Sequence, residues 1–126
     1  MIPFVPIVLG HLVGDYLLQP KKMALYKSDP SNAGFEQCLM HCVLYTAAIC
    51  LLSWHCAPLF IAMVFLSHWF IDRYSLALHW LRMIRGRTWE NMKLDGIDPA
   101  FTAVVYTVAD NTMHLLLLWG VVLYGA

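Results

Sequence analysis

Four long hydrophobic runs limit what this chain can fold into. They cover about Ile2–Gln19, Phe35–Cys56, Leu59–Trp80 and Ala100–Tyr124, and each approaches the roughly 20 apolar residues that a transmembrane helix needs. The 126-residue chain is 60% hydrophobic and 13% charged, unlike an average soluble domain. We therefore predict an all-α integral membrane protein, with four transmembrane helices in a single domain over residues 1–126.

The distribution of basic residues predicts how the chain is oriented. The turn at Ala57–Pro58 and both ends of the chain carry no lysine or arginine. The positive-inside rule then places both long connections in the cytoplasm and both termini in the periplasm. Because no basic segment precedes the first run, we also expect no cleavable signal peptide. Seven of the eight basic residues lie in the first and third connections: Lys21, Lys22, Lys27, Arg82, Arg85, Arg87 and Lys93.

Histidines and aspartates recur four residues apart inside the hydrophobic runs, where polar groups are costly and mark functional sites. Residues four apart share one face of a helix. Counted from the cytoplasmic end of each run, these residues lie about 4 to 14 positions deep, mostly in one layer of the cytoplasmic half of the membrane. The set consists of His11 with Asp15 (and Gln19 one turn further), His68 with Asp72, Asp110 with His114, and the single His41.

These seven histidines and aspartates are candidate metal ligands, because imidazole and carboxylate groups bind zinc, manganese and iron. They outnumber the four ligands of one tetrahedral ion, so the sequence predicts zinc or manganese, as one ion or two. The expected core is His11, Asp15, His68 and Asp72, since two pairs on separate helices can hold one ion from opposite sides. The other three complete the coordination or hold a second ion. In the alternative interpretation, each pair is only a hydrogen-bonded contact between helices.

The cysteines fall in or at the end of the second run, at positions 38, 42, 50 and 56. The first three are too spread along one helix to form disulfides easily, so they are interpreted as small packing residues. The alternative is that Cys38 and Cys42 join His41 as zinc ligands, because thiolates suit zinc.

The segment His11-x-x-x-Asp15-Tyr-Leu-Leu-Gln19, followed by Lys27, resembles a family of small membrane proteins of phages and bacteria, catalogued as domain of unknown function 3307. The later polar positions are similar to those of the family over nearly the whole chain. Asn111 stands where the family usually has glutamine, and the cysteines are outside its pattern. The resemblance implies a multi-pass protein of a bacterial inner membrane, encoded by a bacterium or a phage, and implies no particular activity.

The HxxxD spacing is also similar to that of helical zinc-dependent phosphodiesterases and phospholipases, in ligand spacing and not in fold. We therefore expect metal-dependent hydrolysis of a phosphoester or lipid-linked substrate. Asp15, Asp72 and Asp110 would be ligands, bridges or, in one case, the base for a water molecule.

Two other functions stay open: transport of a metal ion or proton, and a non-enzymatic phage accessory role. The expected partners are membrane lipid and the substrate, a homo-oligomer is left open, and nothing in the sequence signals nucleic-acid binding.

Overall fold

The computed structural model describes residues 2–85, 96 and 98–124, and every regular element within them is a helix. The predicted all-α class is therefore confirmed. Arg87 and Lys93, two of the basic residues used for orientation, lie outside the described residues. The helices are α1 (Phe4–Leu12), which runs on into a π-helical turn (Val13–Leu17), α2 (Lys21–Tyr26), α3 (Asn32–Ser53), α4 (Pro58–Arg73), α5 (Leu76–Arg85) and α6 (Pro99–Tyr124).

The number of clear membrane spans differs from the predicted four. In the described part of the chain, α3 and α6 are long and apolar enough to cross a membrane. The third run is broken: Ser75 has a left-handed backbone (φ 49°), and the axes of α4 and α5 differ by 57°. The first run forms the apolar helix Phe4–Leu17. Its 14 residues extend about 21 Å, less than the roughly 30 Å of a hydrocarbon core. The described residues thus contain two clear spans, or three if the bent pair counts as one.

Four helices form a ring around the bundle axis. α1 packs on α3, α3 on α4, α4 on α6, and α6 closes the ring against α1. The second and third runs pack together as α3 and α4 across a short connection, with Trp54 in a left-handed conformation after α3. One end of the interior is apolar. Van der Waals packing stabilises this end, because the hydrophobic effect does not drive helices together in lipid. Its buried side chains include Ile7, Tyr45, Ile49, Phe60, Val64 and Leu118.

Two glycines set the distance between α1 and α3. The spacing of Gly10 and Gly14 predicts a close helix contact of the small-xxx-small type. A Cβ atom at Gly10 would lie 2.7 Å from the Cα of Ile49, and one at Gly14 would lie 2.7 Å from Cδ2 of Tyr45. A side chain at either position would push the helices apart. This close approach brings the polar face of α1 against α3.

Candidate metal centre

All four helices of the ring contribute to one buried polar cluster. His11 and Asp15 come from α1 and its π-helical turn, His41 from α3, His68 and Asp72 from α4, and Asp110 and His114 from α6. The π-helical turn surrounds Asp15, and turns of this kind occur often at functional sites. The spacing of four residues places both members of each pair on the inner face of its helix.

Four of these side chains converge on one point. Asp15, His41, His68 and Asp72 each offer an atom within 4.8 Å of all the others. The Nε2 atoms of His41 and His68 are 2.8 Å apart. Nε2 of His41 lies 3.2 Å from Oδ1 of Asp15 and 3.0 Å from Oδ2 of Asp72. Nε2 of His68 lies 3.4 and 3.2 Å from the same two oxygens. A tetrahedral zinc ion separates its ligand atoms by about 3.3 Å, so these spacings fit one ion.

Hydrogen bonds alone do not pair all the buried polar atoms of this four-residue group. Oδ1 of Asp15 is buried and has no hydrogen-bond partner among the described residues, although Nε2 of His41 is 3.2 Å away. One N–H can point at only one acceptor, whereas Nε2 of His41 faces His68 and two carboxylates. A buried acceptor left unpaired costs about 1–3 kcal/mol, and more when it is charged. A cation at the centre would contact all four atoms at once.

A second group shares Asp15 with the first. Asp15, Asp110 and His114 each offer an atom within 4.8 Å of the others. Nε2 of His114 lies 3.6 Å from Oδ2 of Asp110 and 3.2 Å from Oδ1 of Asp72, and its Nδ1 lies 3.1 Å from Nδ1 of His68. The Asp110 side chain is 19% exposed, against 2% for Asp72. Asp110 is therefore the most accessible carboxylate of the two groups.

His11 lies beside the two groups and belongs to neither. Its Nδ1 is 2.9 Å from the Tyr45 hydroxyl and its Nε2 is 2.7 Å from Oδ1 of Asn111. Because the amide oxygen only accepts, Nε2–H of His11 donates to Asn111 and the Tyr45 hydroxyl donates to Nδ1. Nδ1 is also 3.4 Å from Oδ2 of Asp15. The four-residue group thus contains His41 in place of His11, which the sequence analysis had predicted as a member of the core.

Lys27, which was not among the candidate ligands predicted from the sequence, also reaches the cluster. Nζ of Lys27 lies 2.6 Å from Oδ2 of Asp72, and its side chain is 19% exposed. When the Gln19 amide is oriented to satisfy both its groups, its oxygen accepts from Nζ at 3.0 Å. Burial opposes the charge of Lys27, but the neighbouring Asp72 carboxylate outweighs it, so the pKa of Lys27 is raised. Its place in the family motif, in the segment after Gln19, was the one sequence signal for this role.

Arg73, the last residue of α4, holds the connection that carries Lys27. Nη1 of Arg73 donates to the carbonyl of Lys27 at 3.3 Å and to the carbonyl of Asp29. The Ser31 N–H donates to the Asp29 carboxylate at 2.8 Å, and bonding to Ser31 lowers the pKa of Asp29. The position of Lys27 is therefore set by a contact made across 46 residues of sequence.

The cysteines take no part in either group. Cys38 and Cys42 are fully buried on α3, and within residues 2–85 all four thiols are free. Their positions agree with the packing interpretation.

These features define an all-helical, membrane-associated protein with a buried His/Asp cluster that can hold a metal ion. The chain belongs to the family described as protein of unknown function (DUF3307), whose sequence profile matches residues 4–125. This match confirms the family resemblance and assigns no activity. No curated protein and no solved structure matches the chain.

Proposed function

We propose that this protein is a membrane-embedded, metal-dependent hydrolase that cleaves a phosphoester or lipid-linked substrate. The observation that carries the proposal is the four-residue group of Asp15, His41, His68 and Asp72, whose four donor atoms lie within 4.8 Å of one another and include an unpaired Asp15 oxygen. The adjoining Asp110 is partly exposed and gives this centre a polar group that a substrate can reach.

The charges of the cluster favour a divalent cation. Asp15, Asp72 and Asp110 carry three negative charges, and Lys27 supplies one positive charge. With neutral histidines, two negative charges remain in the metal-free cluster, and this excess favours the binding of a divalent ion such as zinc or manganese. Uncompensated charge is costly in a membrane interior. A second ion would have to bind between Asp110, His114 and the shared Asp15.

In the proposed reaction, the protein's own groups move the proton. A bound divalent ion supplies Lewis acidity and makes water easier to deprotonate. Asp110 takes a proton from the attacking water while the water oxygen forms a bond to phosphorus. The bond between phosphorus and the ester oxygen then breaks, and Asp110 returns the proton to the leaving oxygen. Nε2 of His114 lies 3.6 Å from Oδ2 of Asp110 and is hydrogen-bonded to Oδ1 of Asp72 at 3.2 Å, so it does not occupy the Asp110 oxygen that takes the proton.

The two other functions are less well supported. A transporter needs a polar path to both faces, whereas the described interior beyond the cluster is apolar, from Tyr45 to Phe60 and Leu118. An accessory protein with a purely structural core needs its buried groups to be paired, and Oδ1 of Asp15 has no hydrogen-bond partner in the described part of the chain.

We further propose a topology of four spans with both termini in the periplasm of a bacterium, whether the protein is bacterial or phage-encoded. Phe4–Leu17 would be a short first span, and the bent pair α4–α5 would be the third. In a cysteine-free background, an impermeant thiol reagent applied from outside should label a cysteine added after Ala126 and miss Ser28→Cys in the first connection. The reverse labelling pattern would contradict this topology.

The function is tested on the wild-type protein in detergent, purified without chelator. Elemental analysis should find zinc or manganese in about stoichiometric amount, because four protein ligands converge on one point. Hydrolysis of bis-para-nitrophenyl phosphate or of phosphatidylglycerol vesicles should stop when the metal is stripped and return with the ion. Stoichiometric metal with ion flux into sealed vesicles and no hydrolysis would favour transport. Protein without metal would favour the structural role.

A further inference from the structure

The Lys27 ammonium group rests on the oxygen that the four-residue group offers to a metal ion. Nζ of Lys27 is 2.6 Å from Oδ2 of Asp72, and this same oxygen lies 3.0 and 3.2 Å from the Nε2 atoms of His41 and His68. We propose that Lys27 is a built-in cation that neutralises Asp72 in the metal-free protein and is displaced when a divalent ion binds. This inference rests on the metal site of the proposed function.

The contacts of Oδ2 of Asp72 are the first step of the argument. A carboxylate oxygen has two lone pairs, and three nitrogen atoms already approach this one. An ion at the centre of the group would need one of those lone pairs. The ion would also repel the ammonium group that lies 2.6 Å beyond this oxygen, and such repulsion is strong where water is scarce. The metal and Lys27 therefore compete for Asp72.

The structure also lets the ammonium group move without moving the backbone. Lys27 extends from the connection and not from a helix of the ring, and its four-carbon stem is flexible. Its carbonyl is held by Arg73, so the movement is confined to the side chain. Gln19 offers a second oxygen 3.0 Å from Nζ, and the side chain already reaches solvent. A displaced Lys27 thus has both a partner and an exit.

The displaced lysine would remain beside the cluster, because its backbone is held by Arg73. Its side chain is partly exposed, and an ammonium group there can bind a phosphate oxygen of the substrate. Binding of the metal would in this way both complete the centre and free a positive charge for an anionic substrate.

Titration of zinc or manganese into chelator-stripped protein tests the competition. Lys27→Met should bind the ion about tenfold more tightly than wild type, the scale on which groups that contact a metal ligand alter affinity. The stripped variant should also melt at a lower temperature, because Asp72 loses its partner. Lys22→Met, on an exposed residue of the same connection, should change neither value. Unchanged or weaker binding by Lys27→Met would overturn the inference.

A measurement on wild-type protein covers the case in which Lys27→Met does not fold. Reductive methylation read by mass spectrometry should modify Lys27 faster once the ion is added, while the rate at Lys22 stays constant. Equal rates at Lys27 with and without the ion would overturn the displacement. If wild type binds the ion and Lys27→Met binds it no better, this inference alone fails. If neither protein binds any ion, the proposed metal site fails with it.

Discussion

His68→Ala should remove stoichiometric metal from the protein and lower its melting temperature markedly. His68 is buried, and its Nε2 contacts His41, Asp15 and Asp72. Removing one partner from a buried charged group costs about 3–5 kcal/mol, and the four-residue group loses one of its candidate ligands. Elemental analysis and thermal unfolding of the detergent-solubilised variant measure both effects. Metal bound at the wild-type level in His68→Ala would show that the ion does not depend on this residue.

Two further variants separate the loss of metal from the loss of packing. Asp72→Asn keeps the shape of the side chain and removes its charge, so metal content should fall more than stability. His79→Ala is the matched control, because His79 is an exposed histidine outside both groups whose Nδ1–H donates to the Ser75 carbonyl at 3.1 Å. Zinc or manganese should raise the wild-type melting temperature, since a ligand at 100 times its Kd stabilises by about 2.7 kcal/mol. A wild-type melting temperature that changes with neither zinc nor manganese would contradict the metal hypothesis.

Helical spacing predicts much of the candidate site. Each histidine–aspartate pair with a spacing of four places two polar groups on one face of its helix. The common depth of the pairs in the membrane predicts that their side chains lie close together. The order of helices around the ring is not encoded in this spacing. α3 lies between α1 and α4, so His41 reaches the same two carboxylates as His68. His11 is directed instead to Tyr45 and Asn111.

Long-range contacts account for the main differences from the sequence prediction. Hydropathy is continuous from Leu59 to Trp80, so it cannot reveal the break that follows Arg73. Arg73 itself bonds to carbonyls in the first connection, which no local pattern specifies. The same contact positions Lys27 against Asp72, a role that the positive-inside rule cannot distinguish from a purely topological one.

Asp110→Asn should lower the rate of phosphoester hydrolysis by about 10²–10⁴-fold, the usual contribution of a general base, while metal content stays near the wild-type level. Metal content should stay unchanged because Asp110 does not belong to the four-residue group that fits one ion. An amide has nearly the same shape as the carboxylate but cannot accept the proton. Asp72→Asn, by contrast, should lose the metal and the activity together.

Asp98→Asn is the matched control for Asp110→Asn on the same helix. Oδ1 of Asp98 accepts from the Ala100 N–H at 2.7 Å at the start of α6, and asparagine caps a helix as well as aspartate does. Its hydrolysis rate should therefore equal that of wild type. If Asp110→Asn keeps full activity, the proton goes to another group and the proposed role of Asp110 is wrong. If Asp110→Asn loses its metal as well, Asp110 is a ligand, and the centre extends into the second group through the shared Asp15.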